Sequence, residues 1–183
     1  MKKIVSLAAL SAGATLAAPL AAAEPCYLQL KVNGAAVDGE VAQKGREKAI
    51  ECIAFETEVN VARDAASGLA TGRRQWGAVK CTKRVDKTSA VLLKALVTNQ
   101  VVEAQFKFYR AATAGFDRGG AEEQFYTVTI KNARIGSIKQ VSPNSAHTDT
   151  RPQPFQEEVS FVFQAIDVAS GANSMSDNSQ AGR

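Results

Sequence analysis

Apolar and polar residues alternate with period two through most of this chain, and that period constrains its fold more than any other feature. A strand sends successive side chains to opposite faces. In "VVEAQFKFYRA", Val102, Ala104, Phe106 and Phe108 therefore share one face, while Glu103, Gln105, Lys107 and Tyr109 share the other. In "IECIAFETEVNVA", Ile53, Phe55, Val59 and Val61 lie together, opposed by Glu56, Glu58 and Asn60. The long run "AEEQFYTVTIKNARIGSIKQV" puts Tyr126, Val128 and Ile130 on one side, with Gly136 as an expected bend or bulge. "EEVSFVFQAIDV" carries Val159, Phe161 and Phe163 on one face and Val162, Ile166 and Val168 on the other, which predicts a strand covered on both faces. The expected class is all-β.

One segment has a different period. "DKTSAVLLKALVTN" spaces Val91, Leu92, Ala95 and Leu96 at helical intervals, predicting one helix over Ser89 to Thr98. Thr88 and Ser89 can cap its start by accepting a backbone N–H, and Asn99 suits a left-handed stop. Two polar stretches, residues 33–48 and 63–76, read as loops joining the early strands. Both exceed the ~2–5 residues usual for a hairpin connection, which points to a surface role. A third loop, "SPNSAHTDTRPQPFQ", is expected to be extended or mobile. The closing "ASGANSMSDNSQAGR" is small and polar with nothing to bury, so residues 169–183 are expected to form a disordered tail.

The first residues have another purpose. Lys2 and Lys3 precede an uncharged apolar run to Leu20, and Ala21-Ala22-Ala23 fits a small-residue cleavage site. This is the order of a secretory signal peptide. Gly13 and Pro19 interrupt the run, which falls short of the ~20 apolar residues of a membrane span. Residues 1–23 are thus an expected leader and Glu24 the expected mature start, with no membrane insertion once the leader is removed. Of the chain's 22 Lys and Arg, two go with the leader; 20 remain against 18 acidic residues, a net charge of +2. That balance, without basic clusters interleaved with aromatics, excludes a nucleic-acid binder. Cys26, Cys52 and Cys81 match no zinc-ligand spacing. In an oxidising compartment they would give one disulfide and one leftover thiol; otherwise they are small buried hydrophobes.

Catalytic chemistry is not visible. His147 is the only histidine and sits in the Pro-rich loop. No phosphate-cradling glycine loop and no metalloprotease pattern occurs. Glu122-Glu123 and Glu157-Glu158 are adjacent in expected strands, so each pair points to opposite faces and reads as a solvated strand start. Trp76 reads as a packing anchor. The expectation is a non-enzymatic protein with no catalytic, metal or cofactor-binding residues.

"GRRQWGAVKCTKRVDKTSAVLLKAL" then resembles the haemolysin-coregulated proteins, Hcp, the inner-tube subunits of type VI secretion systems. Lys83, Asp86, Lys87 and Ser89 stand at the spacings of that family's Lys-x-x-Asp-Lys-x-Ser element ahead of its short helix. "YLQLKVNG", "VVEAQFKFYRA", "VSP" at 141–143 and "EEVSFVFQAIDV" follow in the family's order, so the resemblance covers residues 26–168. It implies a small β-barrel of two packed antiparallel sheets with one flanking helix, over residues 24–168. It also implies hexameric rings that stack into a tube, with the chain itself and secreted effector proteins as partners. By position, the 63–76 stretch would meet the neighbouring ring, with Arg73, Arg74 and Trp76 as its expected assembly residues; Lys83, Asp86 and Lys87 of the motif are expected assembly residues as well. The leader departs from the family, whose members are loaded from the cytoplasm. It supports a second expectation, an exported monomeric Hcp-like binding or carrier protein.

Overall fold

The structure, a computed structural model, describes residues 24–111, 122–146, 148 and 153–179. The expected leader and His147 lie outside these residues. Strands β1 (Cys26–Val32), β2 (Ala35–Val37), β3 (Ile50–Cys52), β4 (Ala54–Glu56), β5 (Val59–Arg63), β6 (Ala70–Trp76) and β7 (Val79–Arg84) precede helix α1 (Ser89–Val97). Strands β8 (Val102–Ala111), β9 (Glu122–Val141), β10 (Gln156–Val162), β11 (Ala165–Ser170) and β12 (Asn173–Asn178) follow it. All pairings are antiparallel.

The path of β9 organises the molecule. Its 20 residues would reach roughly 65 Å if straight, so it bends and serves two sheets. Its first half lies between β8 and β11, and its second half pairs with β10. The first sheet runs β1–β8–β9–β11–β12, and the second runs β9–β10–β7–β4. β3 pairs with β1 in the first sheet and β4 with β7 in the second. Only Ile53 separates β3 from β4, and its N–H donates to the Thr82 carbonyl at 2.7 Å. The two sheets therefore wrap a common core as a barrel-like sandwich, joined on that side by chain continuity.

β9 carries three bulges: one at Phe125 near its start, and two where the strand passes from the first sheet to the second. Val102 opposes Ala133 but Ala104 opposes Ile130, so β9 carries an extra residue there, and Asn132 adopts a φ of 48°. Inward-facing positions change parity across it: Val128 and Ile130 before, Ala133 and Ile135 after, all buried. The third bulge is at Gly136, as expected, where Phe161 opposes Ile135 and Ser160 opposes Ser137. A Cβ there would sit 3.1 Å from Val162 Cγ2.

The closing run is not one strand covered on both faces. It breaks at Phe163-Gln164, where the chain leaves the second sheet as β10 and joins the first as β11. Turning that corner shifts the phase, so Val159, Phe161, Phe163 and Ile166 all enter the same core, while Val162 is exposed. A frame shift, and not a second covering layer, explains the double-faced apolar pattern. The 169–183 tail is likewise corrected: Asn173–Asn178 forms β12, paired with β11 from Ala165↔Asn178 to Ser170↔Asn173 through a turn at Gly171 with φ 56°. Backbone hydrogen bonding to an existing edge orders a segment with no apolar side to bury.

The core centres on Phe106 and Phe161, with ring centroids 6.1 Å apart, and Phe55 4.9 Å from Phe106. Leu28, Ile50, Leu92, Ile130 and Ile166 surround them, each 0–1% exposed. Each such side chain contributes about 1.5–3 kcal/mol by burial. Helix α1 covers the barrel with Leu92 and Ala95 and leaves Val91, Leu93 and Val97 exposed. It ends where expected: Asn99 has φ 50° and donates its N–H to the Leu96 carbonyl at 3.1 Å. Its start differs. Thr88 makes no side-chain cap; Asp86 Oδ1 instead accepts the Thr88 N–H at 2.8 Å and hydroxyl at 2.6 Å.

Both supposed early loops contain sheet. Asn33 (φ 50°) and Gly34 (φ 81°) make a tight hairpin turn from β1 into β2. The rest of the 33–48 stretch is pinned by Arg46, only 6% exposed, whose guanidinium lies 3.7 Å from the Tyr109 ring centroid and 4.7 Å from that of Tyr27. Gln43 and Glu122 accept hydrogen bonds from the same group. The 63–76 stretch holds the whole of β6, paired back on β5.

Candidate assembly site

β5 and β6 form a two-stranded arm separate from the main sheet, with Val59 opposite Trp76 and Val61 opposite Arg74. Asp64 builds the tip: its Oδ1 accepts from Ser67 N at 2.7 Å, Ser67 Oγ at 2.8 Å and Ala66 N at 3.2 Å, and Gly68 takes φ 69°. Every β5 residue is exposed, as are Leu69, Arg73 and Arg74. Val59 and Val61, read from the alternation as part of a half-buried face with Phe55, therefore stand in solvent.

An isolated two-stranded hairpin is marginal in water, so the arm needs bracing, and the structure supplies it at the root. Trp76 packs edge-on against Phe163 at 5.9 Å, as an anchor should. Its indole Nε1 donates to Asp177 Oδ2 at 2.8 Å, and Arg74 forks onto both oxygens of the same carboxylate. Asp177 belongs to β12, so the supposed tail holds the arm in place. The Arg74 guanidinium, then the Trp76 N–H, hold the Asp177 carboxyl below the ordinary aspartate range. Arg73, one residue along, faces the opposite side of the arm.

The Lys-x-x-Asp-Lys-x-Ser element lies elsewhere and mostly inside. Lys83 stands opposite Glu157 across the β7–β10 pair and is 1% exposed. Its Nζ donates to the Arg84 carbonyl at 2.7 Å, Glu157 Oε1 at 2.8 Å and Asp86 Oδ1 at 2.9 Å. Ser89 donates to Glu157 Oε1 at 2.7 Å and accepts the Asp86 N–H at 3.0 Å; Gln140 donates to the other Glu157 oxygen at 2.8 Å. Lys83 and Asp86 are therefore corrected from surface candidates to internal struts that fix the start of α1 to the second sheet. Of the element, Lys87 is the exposed member. Glu157, read as a solvated strand start, is buried. Its position carried a signal, because it shares parity with Val159 and Phe161, as Lys83 does with Val79 and Cys81. A charge on an apolar face requires a partner.

Burial alone would push the Asp86 carboxyl up, but hydrogen bonds from Lys83 and Thr88 outweigh it and hold the group below its ordinary 3.8. Asp177 shifts the same way. A depressed folded-state value contributes stability that is present above the unfolded value and lost as pH falls through the folded one. The urea midpoint should therefore fall below about pH 4, and the double variant Asp86→Asn with Asp177→Asn should show a shallower fall. Parallel profiles for the two proteins would refute this assignment.

Cys26, Cys52 and Cys81 are all buried free thiols. Among the described residues no His, Cys, Asp or Glu group is placed to hold a metal ion, and no helix is long and apolar enough to cross a membrane.

Comparison with known proteins identifies the arrangement. The family described as "Type VI secretion system effector, Hcp" matches residues 27–169. A relative from Pseudomonas aeruginosa, called a major exported protein, is 31% identical over 129 residues, 70% of this chain and 72% of its own. A solved Hcp protein superposes with a TM-score of 0.75 at 21% identity, over 87% of this chain and 100% of its own. A mutant Hcp1 protein from E. coli EAEC 042 gives a TM-score of 0.72 at 27% identity, over 86% of this chain and 99% of its own. The chain belongs to the Hcp family of the type VI secretion system and is a structural, non-enzymatic protein.

Proposed function

We propose that the chain, after loss of residues 1–23, forms six-membered rings that stack into a secretion tube and carry effector proteins. The observation that carries this reading is the braced β5–β6 arm. It projects Val59, Val61, Leu69 and Arg73 into solvent, yet is held at its root by Trp76, Arg74 and Asp177. Rigid presentation of exposed apolar and basic side chains suits a contact with a neighbouring ring, because little ordering entropy remains to be lost on docking. Closed rings would also cover exposed edges such as β12. Lys87 and the exposed Val91, Leu93 and Val97 of α1 offer a second contact face. Secretion accords with the relative called a major exported protein.

The leader favours a second reading, an exported monomer that kept the fold as a binding or carrier protein. Light scattering on the chain starting at Glu24 separates the two. The first reading expects a mass six times that of one chain, with rings in negative stain. A monomer at high concentration would overturn it in favour of the second. Asp177→Ala, which frees Arg74 and Trp76, should leave rings intact, reduce their stacking and open the 64–69 tip to limited proteolysis. Unchanged stacking with a readily cleaved tip would remove the arm from the assembly role.

A further inference from the structure

Three thiols from three strands meet in the core beside the joint between the sheets. Cys26 on β1 stands directly opposite Cys52 on β3. Cys81 on β7 precedes Thr82, whose carbonyl accepts the N–H of Ile53, the residue after Cys52. The three are 4%, 5% and 0% exposed. Contact with the Cys26 thiol, then with Cys81, together with burial, pushes the Cys52 thiol well above its ordinary range. Cys52, buried and kept protonated, is a poor nucleophile, and burial shields Cys26 and Cys81 from reagents in the folded protein.

The geometry nevertheless favours one pair. Directly opposed residues in an antiparallel pair have Cα atoms about 4.5–5.5 Å apart, inside the ~4.4–6.8 Å range of disulfides. Joining Cys26 to Cys52 therefore requires no strand movement. Cys81 belongs to the second sheet, where Phe55 and Val159 are its cross-strand partners, so it has no such opposition to Cys52.

We propose that Cys26 and Cys52 are the site of a disulfide acquired only while the chain folds, with Cys81 left as a thiol. The bond then records whether folding took place in an oxidising or a reducing compartment. The chemistry is thiol–disulfide exchange with a small-molecule or enzyme disulfide. One cysteine thiolate of the unfolded chain attacks it, forming a mixed disulfide and expelling one thiol. The second cysteine thiolate then attacks the protein sulfur of that mixed disulfide and expels the other. Two protein thiols are oxidised, one external disulfide is reduced to two thiols, and the two protons lost from the cysteines end on them. The inference stands independently of ring formation.

The test refolds reduced, denatured chain in a buffer of oxidised and reduced glutathione. Intact mass should drop by about 2 Da as two hydrogens leave. Alkylation in denaturant should then label Cys81 alone, and peptide mapping should join Cys26 to Cys52. Reduced chain that is already folded should keep all its thiols in the same buffer over the same time. Cys81→Ala should still acquire the bond, and Cys26→Ala should not. Should either variant fail to fold, the map of the unaltered chain decides alone. Three labelled thiols after oxidative refolding, a bond that includes Cys81, or equally fast oxidation of folded protein would each overturn the proposal.

Discussion

Replacing Glu157 by alanine should lower the unfolding free energy by about 3 kcal/mol, the lower end of the ~3–5 kcal/mol measured when one partner of a buried ion pair is removed. The lower end applies because Lys83 keeps Asp86 and the Arg84 carbonyl as partners. The loss is nevertheless large. Lys83 is 1% exposed and cannot turn to water, while Ser89 and Gln140 lose their acceptor as well. The result should appear in urea unfolding as a lower midpoint at unchanged slope. The double variant Lys83→Met with Glu157→Leu gives the contrast. Swapping a buried pair for apolar groups of similar volume is often neutral or stabilising, so this protein should recover most of the loss. A Glu157→Ala chain within 1 kcal/mol of the parent, a range typical of exposed pairs, would mean the network contributes nothing to stability.

Gly39→Ala should be comparably damaging for a steric reason. A Cβ at that position would sit 2.1 Å from the Ala49 carbonyl oxygen, 2.5 Å from its carbon and 2.8 Å from Ile50 N. All three atoms are backbone, so no side-chain rotation can relieve the overlap. The residues cannot part freely either. Gly39 donates its N–H to the Lys48 carbonyl at 2.8 Å, and Lys48 donates to Val41 at 2.8 Å. Arg46 clamps the same loop between Tyr27 and Tyr109, and Ile50 lies in the core at 1% exposure. The expected cost is about 3 kcal/mol, the upper end of overpacking, read as a lower thermal midpoint. A Gly34→Ala control meets nothing within 4 Å, and its cost comes only from its φ of 81°. Gly39→Ala no worse than this control would show that the loop moves away freely.

Residue pattern alone determined a good deal here. Alternation in 101–111 and 122–131 placed β8 and the first half of β9, and Phe106, Val128 and Ile130 are buried as their parity requires. Three- and four-residue spacing placed α1 within one residue of its observed end, and Asn99 stops it in the left-handed region. These are local properties, since each depends on side-chain direction along one segment. The ordered motifs pointed to the family for the same reason, being read one segment at a time.

What only the tertiary structure decided concerns register and corners. Bulges at Asn132 and Gly136 and the corner at Phe163-Gln164 reverse parity, so a pattern read straight through them assigns Val162 and Ile166 to the same side. One of them is exposed and the other fully buried. β12 carries almost no apolar signal and is ordered by the edge of β11 and by Asp177 beneath Arg74 and Trp76, more than a hundred residues away. The pairing of Lys83 with Glu157 spans 74 residues, and the opposition of Cys26 and Cys52 depends on how β1 and β3 meet. Partners distant in sequence are selected by the energy of the whole packed core, because the loop-closure cost of bringing them together is met only when many such contacts form at once.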